Sequence, residues 1–127
     1  MTPIDWRRLA DALEFYKAAG FIEVGVDWHV SPGIHQITCT NPSRMFHLKE
    51  YGVLVGSAEQ AFIGMQLEGR LGPGRYVALT PCFRDEGAEG DDLHGLYFAK
   101  VELYSTLPHP ERELMALHAF AATFMWG

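Results

Sequence analysis

Apolar residues keep helical spacing through the first part of the chain, with Trp6, Leu9, Leu13 and Tyr16 three or four positions apart and Ala10 and Ala12 nearby. That spacing gives one apolar face of a helix. Thr2 and Pro3 read as its N-cap and first helical residue, with Asp5 in the first turn, and Gly20 as its stop. From Phe21 the period shortens, and Phe21-Ile22-Glu23-Val24-Gly25-Val26 reads as a strand. Pro32-Gly33 and Asn41-Pro42 mark turns, which leaves residues 34–40 as a short strand. Tyr51-Gly52-Val53-Leu54-Val55 is apolar enough for another.

Ser57-Ala58-Glu59-Gln60 has the Ser-x-x-Gln form of a capping box and opens a helix to about residue 71. Phe62, Met65 and Leu67 supply its apolar stripe. Gly72-Pro73-Gly74 ends it. Residues 75–83 and 95–104 read as two adjacent antiparallel strands around an exposed loop of glycines and acids at 87–92. After Pro108 and Pro110, residues 111–124 read as a closing helix with an acidic first turn. The order predicts an α+β domain in which an antiparallel sheet is flanked by helices.

Length and composition fit that picture. The chain has 127 residues, enough for one domain over 1–127, and its 48% hydrophobic and 20% charged content is that of a soluble globular protein. No apolar run approaches bilayer-spanning length, and Met1-Thr2-Pro3-Ile4-Asp5-Trp6-Arg7-Arg8 lacks the order of a signal peptide. Cys39 and Cys82 have no metal-ligand spacing and read as free thiols, so a reducing cytoplasm is the expected compartment. The formal net charge of −6 argues against autonomous binding of a nucleic acid such as tRNA. Arg7, Arg8 and Lys17 share one side of the first helix among acidic neighbours, which is the pattern of a solvated face.

The densest chemistry lies around the loop at 87–92. Thr80-Pro81-Cys82-Phe83-Arg84-Asp85-Glu86 leads into it, and His94-Gly95-Leu96-Tyr97-Phe98-Ala99-Lys100-Val101-Glu102 leads out. Paired strands bring Arg84, Glu86, His94 and Phe98 within reach of one small ligand. An arginine fork grips phosphate bidentately, and an aromatic face stacks on a base. This pattern resembles the second signature motif of class II aminoacyl-tRNA synthetases, Phe-Arg-x-Glu followed by His/Arg-x-x-x-Phe. It looks closest to the seryl branch, in which Thr-Pro-Cys-Phe-Arg and Lys-Val-Glu runs also occur.

The resemblance extends from about residue 9 to 105. Ala18-Ala19-Gly20-Phe21-Ile22-Glu23-Val24 looks like the first signature motif, placed over residues 9–28, although the family's interface proline is replaced at Val26 or Asp27. Ser57-Ala58-Glu59 looks like the seryl branch's Thr-x-Glu segment, which meets the amino-acid substrate. The third motif, a Gly-rich segment ending in Arg, does not appear before Trp126-Gly127, so the chain resembles the amino-terminal half of the core.

The resemblance implies roles residue by residue. Arg84 holds the α-phosphate of ATP and stabilises its developing charge, Glu86 accepts from the adenine amino group, His94 reaches the terminal phosphates and Phe98 stacks on adenine. Ser57, Glu59 and Glu102 meet the amino acid, the carboxylates holding its α-ammonium. ATP and Mg²⁺ are the implied cofactors. The chemistry is amino-acid activation by a ligase, with the missing third-motif arginine weighing against full turnover. Each residue also has a plainer role: Arg84 as an ion-pair partner of Asp85 or Glu86, Phe98 as core, Ser57 as a cap, the others as solvated charges. A non-catalytic regulatory or protein-interaction paralogue, or a fragment of the core, is the competing reading. An unpaired sheet edge and bare apolar surface favour a homodimer; Asp27 and the net charge oppose it.

Overall fold

The computed structural model describes residues 4–39, 45–83 and 97–108. Helix α1, Trp6–Ala18, is capped by Asp5, whose carboxylate accepts from the Arg8 N–H at 3.1 Å. Asp5 is therefore the N-cap and not a first-turn residue. Gly20 ends the helix as expected: its φ of +100° is open to glycine, and the next N–H, of Phe21, returns to the Tyr16 carbonyl at 3.0 Å. Ala12 and Tyr16 are the buried face, with Leu13 and Phe15 packed beside them; Trp6 is 59% exposed, so the expected apolar stripe starts later.

The strand expected at 21–26 shortens to β1, Ile22–Glu23. Within the segment 34–40, the described residues 34–39 are not a strand. They lie mostly in helix α2, Pro32–Thr38, with Ser31 as N-cap accepting from the Ile34 N–H at 3.3 Å. Pro32 sits where a helix needs no N–H, so Ser-Pro-Gly is a helix start and not the turn its composition suggested. Strands β2 (His29–Val30), β3 (His47–Leu48) and β4 (Gly52–Leu54) form a small antiparallel sheet in the order β2-β4-β3.

Helix α3, Ala58–Leu67, is shorter than expected, because Gly69 takes φ +72° and the Arg70 N–H closes on the Met65 carbonyl at 2.8 Å. Its buried face is Ala58, Ala61, Phe62 and Met65, while Leu67 is 70% exposed. Strands β5 (Arg75–Phe83) and β6 (Tyr97–Ser105) pair antiparallel along their whole length, as the sequence indicated. β1 joins the far side of β5 in parallel, so this sheet is mixed rather than antiparallel throughout.

Alternation along β5 and β6 sorts their side chains onto two faces. Val77, Val101 and Leu103 meet α1 through Tyr16, and Phe21 just beyond the helix joins them. Tyr76, Ala78 and Tyr104 meet α3 through Ala58 and Phe62, and the Phe62 and Tyr104 rings stack with centroids 4.9 Å apart. A separate apolar cluster of Val30, Met45, Val53, Val55 and Ala61 joins α3 to the small sheet. Each cluster is continuous, and α3 takes part in two of them. The loop at 87–92 and the closing helix at 111–124 lie outside the described residues.

Candidate functional site

A pocket of about 330 Å³ opens where the end of α2, the start of α3 and β6 converge. Ser57 stands at the N-cap position of α3, yet its hydroxyl makes no capping bond. The expected capping box is replaced by two other groups. Gln60 turns back, its Oε1 accepting from the Gly56 N–H at 2.7 Å, while its Nε2 donates to Thr38 Oγ1 at 2.9 Å and to the His35 carbonyl at 3.4 Å. The first-turn donors are taken by Glu102, which reaches from β6: Oε1 accepts from the Ala58 N–H and Oε2 from the Glu59 N–H, both at 3.1 Å. A carboxylate suits this place because the helix N-terminus carries partial positive charge.

Lys100 adds to that neutralisation, its Nζ 3.2 Å from Glu102 Oε1. Lys100 and Glu102 are two apart on β6, hence on one face, opposite Thr80 and Ala78 respectively. The Cys82 thiol lies 3.9 Å from the same Oε1. Glu102 Oε1 is thus crowded with donors, while Oε2 keeps room for one more.

Ser57, Glu59 and Glu102 therefore line one pocket. The Glu59 charge also reaches Tyr104, whose phenol is pushed up first by burial and second by that carboxylate. Phe98 shares the β6 face of Lys100 and Glu102, paired with Cys82, but is not among the pocket's walls. Arg84, Glu86 and His94 lie outside the described residues. Among the described residues no group of three or more His, Cys, Asp or Glu side chains is placed to hold a metal ion.

Three residues of the pocket, Lys100, Gln60 and His35, were not among the expected site residues. Lys100 was detectable from its i, i+2 relation to Glu102. Gln60 was read only as a capping partner. His35 carries no local signal: its side chain is 1% exposed, and neither ring nitrogen has a hydrogen-bond partner among the described residues. Such a burial costs about 1–3 kcal/mol. Burial lowers its pKa below the ordinary value of 6.5; its own main chain opposes the shift, and the nearby His47 adds to it.

No family model matches the sequence, and no curated protein is similar enough to match. Solved structures are similar in fold. Seryl-tRNA synthetase from Pyrococcus horikoshii, complexed with ATP, superposes with a TM-score of 0.76 at 24% identity, over 96% of this chain and 30% of that one. Cytoplasmic serine-tRNA ligase from Naegleria fowleri, in complex with AMP, gives 0.61 at 21% identity over 81% and 28%. Pyrrolysyl-tRNA synthetase from Desulfitobacterium hafniense gives 0.62 at 21% identity over 91% and 43%. The chain spans less than half the length of each. The fold of the described residues is thus that of part of the class II aminoacyl-tRNA synthetase core, as found in seryl- and pyrrolysyl-tRNA synthetases.

Proposed function

We propose that this domain binds ATP or an aminoacyl-adenylate together with a small amino acid, as a cytoplasmic relative of the class II synthetases. The observation that carries the reading is the meeting of Ser57, Glu59 and Glu102 at one pocket on the β6 face. Glu59 holds the α-ammonium, with Glu102 Oε2 as second acceptor, because Oε1 is already committed to Ala58, Lys100 and Cys82. Ser57, freed from capping, offers its hydroxyl to the ligand.

Phe98 lies further along the same face, towards the segment that holds Arg84, Glu86 and His94, and stacks on adenine. Glu86 accepts from the adenine amino group and His94 reaches the terminal phosphates. Activation joins the amino-acid carboxylate to the α-phosphate and releases pyrophosphate. It asks the protein for alignment and for neutralisation of charge, which Arg84 supplies at the α-phosphate. Mg²⁺ accompanies ATP in this chemistry. Two copies of the domain associate through a sheet edge left unpaired among the described residues.

Calorimetric titration with ATP, serine and a non-hydrolysable seryl-adenylate mimic tests the reading. Arg84→Ala is expected to weaken the mimic by roughly 10- to 150-fold, the worth of a charge-assisted phosphate contact. Unchanged affinity removes Arg84 from the site. Binding without ATP–pyrophosphate exchange assigns the domain to the non-catalytic, regulatory class.

A further inference from the structure

Helix α2 and its C-cap supply one wall of the pocket through His35, Thr38 and Cys39. Among the described residues the hold of α2 on the rest of the domain is slight. His35 is its one fully buried side chain; Ile34 packs partly against the Val30 cluster, and Ile37 is 58% exposed. The polar tie is Gln60 Nε2, which donates to Thr38 Oγ1 at 2.9 Å and to the His35 carbonyl at 3.4 Å. The apolar anchor position is thus filled by an imidazole whose two nitrogens are closed off from solvent and have no hydrogen-bond partner. An apolar side chain would pack there without that cost, so the histidine calls for an explanation beyond packing.

A ring sealed in this way takes a proton only when α2 moves. We propose that α2 is a proton-sensitive gate on the pocket: it leaves α3 when His35 takes up a proton, and the pocket loses that wall. Burial disfavours the imidazolium in the closed form, whereas the open form returns the ring to water and to its ordinary value of 6.5. Above that pH both forms are neutral, and the opening equilibrium is level. Below it only the open form binds the proton, so the open population rises by at most about tenfold per pH unit. The other titratable groups around the ring and its pocket are Cys39, His47 of β3, Glu59 of α3, and Lys100 and Glu102 of β6; His47, when charged, adds to the opening. A ligand held against this wall binds the closed form and competes with the proton. The gate is independent of which ligand that is.

Amide hydrogen exchange on the full chain, corrected for the intrinsic pH dependence of exchange, tests the gate without a ligand. The Cys39 N–H, held by the His35 carbonyl at 3.0 Å, reports on α2. Its protection is expected to fall about tenfold between pH 7.5 and pH 5.5, while the amides of α1 and of the β5–β6 pair keep theirs. In His35→Phe, which retains every other titratable group, α2 protection is the same at both pH values. His35→Leu is the second apolar variant, for a site that phenylalanine overfills, and His47→Gln must keep the fall. Level protection in the unaltered protein overturns the proposal. So does a fall shared equally by α1 and β5–β6, which is global unfolding, and so does a fall that survives in the apolar variants or vanishes in His47→Gln. Should neither apolar variant fold, the unaltered protein and His47→Gln decide between these outcomes.

Discussion

Glu102 on β6 receives the main-chain N–H of Ala58 at 3.1 Å, across 44 residues of sequence, so a strand carboxylate serves as the N-cap of α3. Its second oxygen takes the Glu59 N–H, which leaves Ser57 at the cap position without a capping duty. A single carboxylate thereby fixes the first turn of the helix, joins helix to sheet and walls the pocket.

Removing it should therefore show in both stability and binding. Glu102→Ala is expected to lower unfolding free energy by about 1–2 kcal/mol, the cost of a lost cap with two charge-assisted bonds. Urea denaturation measures it, and Glu102→Gln should fall between the two, since one amide oxygen can still accept. Ser57→Ala, by contrast, should change stability by less than about 0.5 kcal/mol, because no capping bond is lost. Equal losses from Ser57→Ala and Glu102→Ala would return the cap to Ser57.

Gly52 presents a sharper steric case. Its φ is +99°, and a Cβ there would lie 2.4 Å from the Val30 carbonyl oxygen, a main-chain atom of the strand paired with β4. Neither strand can yield without breaking the β2–β4 register. Gly52→Ala should thus destabilise by at least about 1–3 kcal/mol. Gly25→Ala, where nothing lies within 4 Å of the added carbon, is the control and should be neutral or slightly stabilising. Matching midpoints for the two variants would contradict the close approach.

These two positions also mark the limit of what the chain discloses in sequence. The β5–β6 pair was legible because both its strands are apolar runs bounded by a polar, glycine-containing loop. The start of α3 was legible from Ser57, but the group that caps it was not, since Glu102 is distant in sequence. α2 was misread because Pro32-Gly33 reads as a turn by composition, when Ser31 and Pro32 together specify a helix start. The parallel pairing of β1 with β5 depends on a crossover that local patterning does not encode. His35 was invisible for a related reason: a buried imidazole without a partner is defined by surroundings assembled from α2, α3 and Gly56.

Self-association follows from edges and charge. β1 and β6 are the outer strands of their sheet among the described residues, and Ile22 on β1 is exposed. Asp27, which in sequence argued against a dry contact at this end, is paired with Arg70 at 2.9 Å, which offsets part of its charge, since the same guanidinium also serves Glu68 at 3.1 Å. The expected outcome of sedimentation at micromolar concentration is a species of about twice the chain mass. A clean species of 14.2 kDa would remove the dimer.

The last expectation concerns pH and comes from His35. Burial disfavours the imidazolium, so the folded pKa lies below 6.5 while the unfolded chain keeps the ordinary value. Below pH 6.5 the unfolded state then binds a proton that the folded state refuses, and stability must fall as pH falls. His47 pushes in the same direction when charged; Glu59, Glu102 and Lys100 line the same pocket and are present in both proteins compared. His35→Phe removes the one group at issue. The stability difference between the two proteins should be flat above about pH 7.5 and should shift in favour of the variant towards pH 5.5, by at most about 1.4 kcal/mol per pH unit. Urea midpoints at matched ionic strength follow it directly. Parallel curves across that window would mean that His35 binds its proton equally in both states, and that its burial leaves the imidazolium better solvated than its 1% exposure indicates.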